Sequence, residues 1–228
     1  MRYAVPVYQV PTLAVAGRPD RFPVRRIYCI GRNYAAHAAE TGLSVGTGTP
    51  GISLKPADSI LIESILHYPP ATAQLEPEIE MVAAIGAGGA NITRDTALGH
   101  VFGYAVGFDM IRRDVLAECI KNQHSWDLCK SFAGASPVSA LRTAAEIGHP
   151  STGEISIRVN GELRQRGDLA DMIWGVAEII SRISAYERLE PGDIVFTGTP
   201  KGPKPVAPGD RLHGSIAGVG ELDLKVVR

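Results

Sequence analysis

LEPEIEMVAAI, residues 75–85, places Glu76, Glu78 and Glu80 at every second position and then runs into an apolar stretch, Met81 to Ile85. Side chains two apart on a strand point to the same face, so the segment reads as a strand with carboxylates along one side. Two ionised carboxylates held side by side repel, and without compensation one of them is driven towards its neutral form. A divalent cation removes the conflict, and magnesium takes hard oxygen ligands of this kind. A third ligand is available in VFGYAVGFDM, where Asp109 closes an apolar, glycine-rich strand and would be costly without a partner. Plainer readings stand beside this one. Alternation alone would put the glutamates on the wet face of a half-exposed strand, and Asp109 would suit the cap of a helix at MIRRDVL. Glu76, which precedes Pro77, is assigned to the wet face.

Outward from this strand, RRIYCIG (25–31) reads as another strand, and RNYAAHAAE as a helix of two to three turns ending at Thr41-Gly42. GLSVGTGTPG, residues 42–51, has the composition of a mobile loop. Further strands are expected at ISLK, SILI and VFGYAVGFD, and a helix over RRDVLAECIKN. EISIRVNGELRQR is a hairpin, with Asn160-Gly161 as a type I′ turn. Leu169 to Arg188 carries a helical apolar stripe with Asp168 placed to cap it. DIVFTGTP, DRLHGSIA and ELDLKVV supply the last strands. Strands and helices do not alternate regularly, so the expected class is mostly β with a few helices, α+β, and not doubly wound. Residues 1–23 read as a short N-terminal accessory segment and 24–228 as the main domain.

The chain has 228 residues, 45% of them apolar and 21% charged, and a net charge of -1; these are globular values without the basic footprint of nucleic-acid binding. No apolar stretch reaches the roughly 20 residues that span a bilayer, so a soluble, cytoplasmic protein is expected. Three cysteines, Cys29, Cys119 and Cys129, fit a reducing compartment better than a disulfide framework. Cys129, beside Lys130, is the one placed to act as a nucleophile, although a buried small residue is the more usual role. GTGTPG, residues 46–51, matches a dinucleotide-binding spacing but lacks the flanking strand and helix that such a loop requires.

Taken together, RRIYCIGRNYAAHAAE, KPADS, EPEIEMVAAIG, GYAVGFDMIRRD, WDLCKSF, VNGELRQRGDLADMIW and LEPGDIVFTGTPKG resemble the fumarylacetoacetate hydrolase superfamily from about Val24 to the carboxyl end. Within it they look most like the fumarylpyruvate hydrolases and the related acylpyruvases. The resemblance implies a fumarylacetoacetase C-terminal-domain-like mixed β-sandwich roll and a homodimer. It implies a metal triad of Glu78, Glu80 and Asp109 filled by Mg2+ or Mn2+, and an acid/base dyad of His37 and Glu40 on a short helical lid. Positions three apart share a helix face, which suits that dyad. Lys130 matches the active-site lysine, Arg113 and Lys55 match positions near the substrate, and Thr199 with Gly198 borders the ligand.

The implied activity is metal-dependent hydrolysis of an acylpyruvate, a small-molecule diketo acid, with fumarylpyruvate giving fumarate and pyruvate in aromatic-compound breakdown. Oxaloacetate decarboxylation and keto–enol tautomerisation use the same metal and enolate logic and are the enzymatic alternatives. A non-catalytic β scaffold holding a structural cation is the alternative of another class, and it has no use for His37 and Glu40.

Overall fold

The structure, a computed structural model, describes residues 2–40 and 50–228, so most of the expected loop at 42–51, with the GTGTPG stretch, lies outside the described residues. The first half of the chain runs β1 (Thr12–Ala14), β2 (Arg21–Pro23), β3 (Ile27–Gly31), α1 (Ala35–Glu40), β4 (Gly51–Lys55), β5 (Ile60–Leu61), β6 (Ile65–His67) and β7 (Leu75–Ile85). It continues through α2 (Arg94–Ala97), β8 (Val101–Arg112), α3 (Arg113–Lys121), α4 (Asp127–Lys130), β9 (Ser136–Pro137), β10 (Arg142–Thr143) and α5 (Ala144–Ile147). The last part is β11 (Glu154–Val159), β12 (Glu162–Asp168), α6 (Val176–Tyr186), β13 (Ile194–Phe196), β14 (Arg211–Ile216) and β15 (Gly220–Val227). The chain is thus mostly β with short helices.

A six-stranded sheet in the order β10-β8-β7-β13-β3-β4 carries the long central pair β7 and β8, and a five-stranded sheet, β12-β11-β14-β15-β6, packs on one of its faces. Period-two alternation divides β7 between two cores. Ile79, Met81, Ala83 and Ile85 join Phe108, Met110, Ile155, Leu212 and Leu224 between the sheets. Val82 and Ala84 point the other way, into a smaller core with Leu13, Val15, Phe22, Cys29 and Phe196, where the β1–β2 hairpin covers the sheet. Glu78 and Glu80 share this second face by alternation, beyond the end of its apolar cover. Gly107 of β8 lies on the same face. A Cβ there would stand 2.7 Å from both Phe196 and Val82, so the glycine is the condition for that close packing.

Every residue of β7 is buried, which corrects the wet-face assignment of Glu76. Both faces of the strand are covered, and Glu76 itself lies against Arg113. Asp109 sits within β8, opposite Glu78, and is not a helix cap; Arg112 takes the position before α3.

The helix expected from Leu169 to Arg188 is broken. Asp168 caps a single 3-10 turn, Leu169–Asp171, and α6 begins only at Val176. Between them the backbone is drawn out to meet the turn after β3: the N–H of Ile173 donates to the Asn33 carbonyl and that of Trp174 to Asn33 Oδ1. A tertiary contact has overridden the local apolar stripe. The Asn160-Gly161 turn has φ of 53° and 85°, as a type I′ hairpin requires, and joins β11 to β12. No helix among the described residues is long and apolar enough to cross a membrane.

Candidate active site

β8, β13 and β3 run in one direction and β7 and β4 in the other. The C-terminal ends of the first three and the N-terminal ends of the other two therefore meet at one edge of the sheet. Pairing sets Glu78 directly opposite Asp109, and Glu80 follows one pleat on. All three are buried, and one carboxylate oxygen from each lies within 4.8 Å of the others. Glu80 is fixed from β13's extension, where the N–H of Gly198 donates to its Oε2 at 2.5 Å. Gly198 has φ of 96°, and a Cβ on it would stand 2.7 Å from Asn33 Cβ. Gly198→Ala is expected to lower unfolding stability by about 1–3 kcal/mol, read by denaturant titration, and to displace Glu80.

Two buried ammonium groups converge on Asp109. Lys130 Nζ donates to Oδ2 at 2.6 Å, and Lys55 pairs with Oδ1 while donating to the carbonyls of Ala135 (2.7 Å) and Met110 (3.3 Å). Lys55 lies on edge strand β4, so this contact shows the sheet curling until β4 meets β8. The Lys55 ammonium is fully engaged there and does not line the cavity.

Burial raises the carboxyls of Glu78 and Glu80, and the charge of Asp109 adds to the effect in both. Burial would raise Asp109 too, but Lys130 and Lys55 outweigh it and hold that carboxyl below its ordinary value. Three buried carboxylates with converging oxygens fit a hard divalent ion. A bound ion favours the ionised carboxylates while burial opposes them, so metal affinity is expected to rise with pH and binding to release protons. Calorimetric titration of Mg2+ or Mn2+ in buffers of different ionisation enthalpy measures this directly.

Glu78 and Glu80 of the cluster line a cavity of about 670 Å³ together with His37, Arg113, Lys130 and Thr199, with Ile52, Leu116, Ile120 and Trp126 as apolar wall. His37, on α1, is buried. Its Nε2 lies 3.7 Å from Glu78 Oε1 and its Nδ1 3.7 Å from Glu40 Oε2, both beyond hydrogen-bond length. Nδ1 is buried with no hydrogen-bond partner among the described residues, and Glu40 Oε2 instead accepts from the N–H of Gly202 at 2.9 Å. Contacts of this length are common in ligand-free sites and tighten on binding.

Three further residues shape the site. Asn33 donates to the carbonyls of Trp174 and Thr197, tying the base of α1 to β13's extension. Gln165 of β12 donates to Thr199 Oγ1 at 2.9 Å and to the Pro200 carbonyl, and accepts from the N–H of Ile79. Both sit within motifs singled out in the sequence, as polar side chains in apolar surroundings, but carry no chemistry that would mark them. Glu76 is the third. Burial pushes its carboxyl up to about 7 against the opposing charge of Arg113, whose Nε is 3.6 Å from Glu76 Oε2. Cys129 is buried with its thiol on the Trp126 carbonyl, and burial pushes it up to about 11, the wrong direction for a nucleophile.

A family model described as the fumarylacetoacetate (FAA) hydrolase C-terminal family matches residues 26–227. The fumarylpyruvate hydrolase of Pseudomonas aeruginosa, solved in complex with Mn2+ and pyruvate, is 43% identical with a TM-score of 0.97, covering 99% of each chain. The oxaloacetate tautomerase FAHD1, mitochondrial, of Bos taurus is 39% identical over 205 residues, 90% of this chain and 92% of that protein. Its Homo sapiens counterpart is 38% identical over 203 residues, 89% of this chain and 91% of that protein. The chain belongs to the fumarylacetoacetate hydrolase family.

Proposed function

We propose that this family member hydrolyses the carbon–carbon bond of an acylpyruvate, releasing pyruvate and a carboxylic acid, with fumarylpyruvate as the favoured substrate. The observation that carries the reading is the position of His37: a buried imidazole whose Nε2 lies 3.7 Å from Glu78, at the rim of the three-carboxylate cluster and in the same cavity. Held by Glu78, Glu80 and Asp109, a magnesium or manganese ion would supply Lewis acidity to polarise the dioxo unit.

The chain's own residues do the rest. Arg113 holds the pyruvyl carboxylate with its planar guanidinium, and Thr199, aimed by Gln165, borders it. His37 Nε2 takes a proton from water as the water adds to the distal carbonyl carbon, and Glu40 steadies the resulting imidazolium through Nδ1. A side-chain adjustment of roughly 0.5–1 Å within α1 brings the His37–Glu40 pair, now 3.7 Å apart, to hydrogen-bond length. The tetrahedral oxyanion collapses, the carbon–carbon bond breaks, and its electron pair passes into the pyruvate enolate. Lys130 offsets the charge that arises there. The imidazolium then returns its proton to the enolate carbon, giving pyruvate and the second acid. Lys55 acts at one remove, by fixing Asp109.

The same cavity admits a second reading, favoured by the likeness to the mammalian oxaloacetate tautomerases: keto–enol exchange of oxaloacetate, which needs a proton carrier but no attacking water. A panel of fumarylpyruvate, acetylpyruvate and oxaloacetate assayed with Mg2+ separates the two. Pyruvate release from the acylpyruvates is expected; inert acylpyruvates together with rapid oxaloacetate enol–keto exchange would favour the second reading.

A further inference from the structure

Arg32 follows Gly31 at the end of β3 and lines, half-buried, the same cavity as Arg113. Its backbone has φ of 60°, the left-handed region that a non-glycine residue enters at a cost and that a surrounding structure must hold in place. The guanidinium lies over the start of β4, with Nη2 3.6 Å from where a Cβ on Gly51 would stand, an ordinary contact distance. Among the described residues no carboxylate pairs with it and no hydrogen bond engages it. The remaining residues, Met1 and TGLSVGTGT at 41–49, contain no acidic side chain. Arg32 is therefore a cation on the cavity wall that the chain does not neutralise.

The other cations of the cavity are differently placed. Lys130 is committed to Asp109, and Arg113 stands beside Glu76. Arg113 emerges just past β8 and Arg32 just past β3, at the same edge of the sheet, with β7 and β13 between them. Both side chains line the one cavity, which Glu78 and Glu80 also line.

We propose that Arg32 is a specificity-determining residue that takes the distal carboxylate of a dicarboxylic 2-oxo acid whose oxo-acid end lies over the Glu78–Glu80–Asp109 cluster. The choice of which end faces the cluster rests on the reading given above. The selection of diacids over monoacids rests on Arg32 alone. A planar fork with no ion-pair partner among the described residues breaks no such pair when it binds a carboxylate, and its five donors suit bidentate contact.

The test uses two ligands of equal length that cannot be cleaved, 2-oxoadipate and 2-oxohexanoate, titrated calorimetrically into the Mg2+-loaded protein. The wild type is expected to bind the diacid about 10- to 100-fold more tightly, as a charge-assisted pair warrants. Arg32→Met should abolish the preference while leaving 2-oxohexanoate within about twofold, and Arg32→Lys should restore part of it. Arg32→Gly, at ease with the left-handed backbone, gives the same reading should the methionine variant fold poorly. No preference in the wild type, or equal weakening of both ligands in the variants, overturns the assignment. Failure of the wild type to cleave any acylpyruvate while the binding ratio behaves as expected would remove the hydrolase reading and leave Arg32's role standing.

Discussion

Asp109→Asn is expected to reduce turnover to below about one-thousandth of wild type and, separately, to destabilise the metal-free fold by roughly 3–5 kcal/mol. The two losses have different origins. Activity goes because one of three converging oxygen ligands becomes a neutral amide. Stability goes because Lys55 and Lys130 both lean on this one carboxylate from buried positions. An asparagine presents one acceptor and one donor, so one of the two ammonium groups would face an N–H at hydrogen-bond distance. Urea unfolding with metal chelated isolates the second effect. Because part of the penalty is the stranded Lys55 charge, Lys55→Met in the Asp109→Asn background should cost less than the two single changes added together. Adding metal separates the first effect: at 100 times its dissociation constant Mg2+ or Mn2+ should stabilise the wild type by about 2.7 kcal/mol and the Asp109→Asn protein by much less.

Replacing His37 by alanine is expected to lower kcat by roughly 10²- to 10⁴-fold, the range of a positioned base, with KM changed little. Its imidazole makes no hydrogen bond among the described residues, so folding and metal uptake should survive, and unchanged metal titration would localise the loss to the chemical step. Glu40→Gln should be milder. Glu40 is half exposed in side chain and accepts from Gly202, so in the proposed mechanism it would orient the imidazole without touching the reacting atoms. A non-catalytic scaffold with a structural cation would turn over no substrate, and its metal titration and unfolding would be indifferent to both changes.

What could be read from the sequence was whatever local geometry imposes. The strand period of two puts Glu78 and Glu80 on one face wherever the strand lies, and the helix period puts His37 and Glu40 together. Asn160-Gly161 specified its hairpin for the same reason. Asp109 was legible as an acid in an apolar strand, but its place opposite Glu78 depends on the β7–β8 register. Features that depend on distant chain segments were not legible. Lys55 resembles a substrate contact until the curl of the sheet brings β4 to Asp109. Glu76 alternates like a wet-face residue until the cover over β7 is complete. The break after Asp171 has no signal in the apolar stripe of 169–183, because its cause is Asn33, on the far side of the sequence. Nothing local marks Gln165 as the residue that aims Thr199.

The most direct measurement is isotopic. Mg2+-loaded protein is incubated with fumarylpyruvate in water enriched in 18O, and the products are analysed by mass spectrometry. Water that adds to the distal carbonyl under His37 must leave one solvent oxygen in the newly formed carboxyl group of fumarate, one for each molecule cleaved. Fumarate formed without that label would contradict the account, as would intact fumarylpyruvate recovered from a protein that interconverts the enol and keto forms of oxaloacetate.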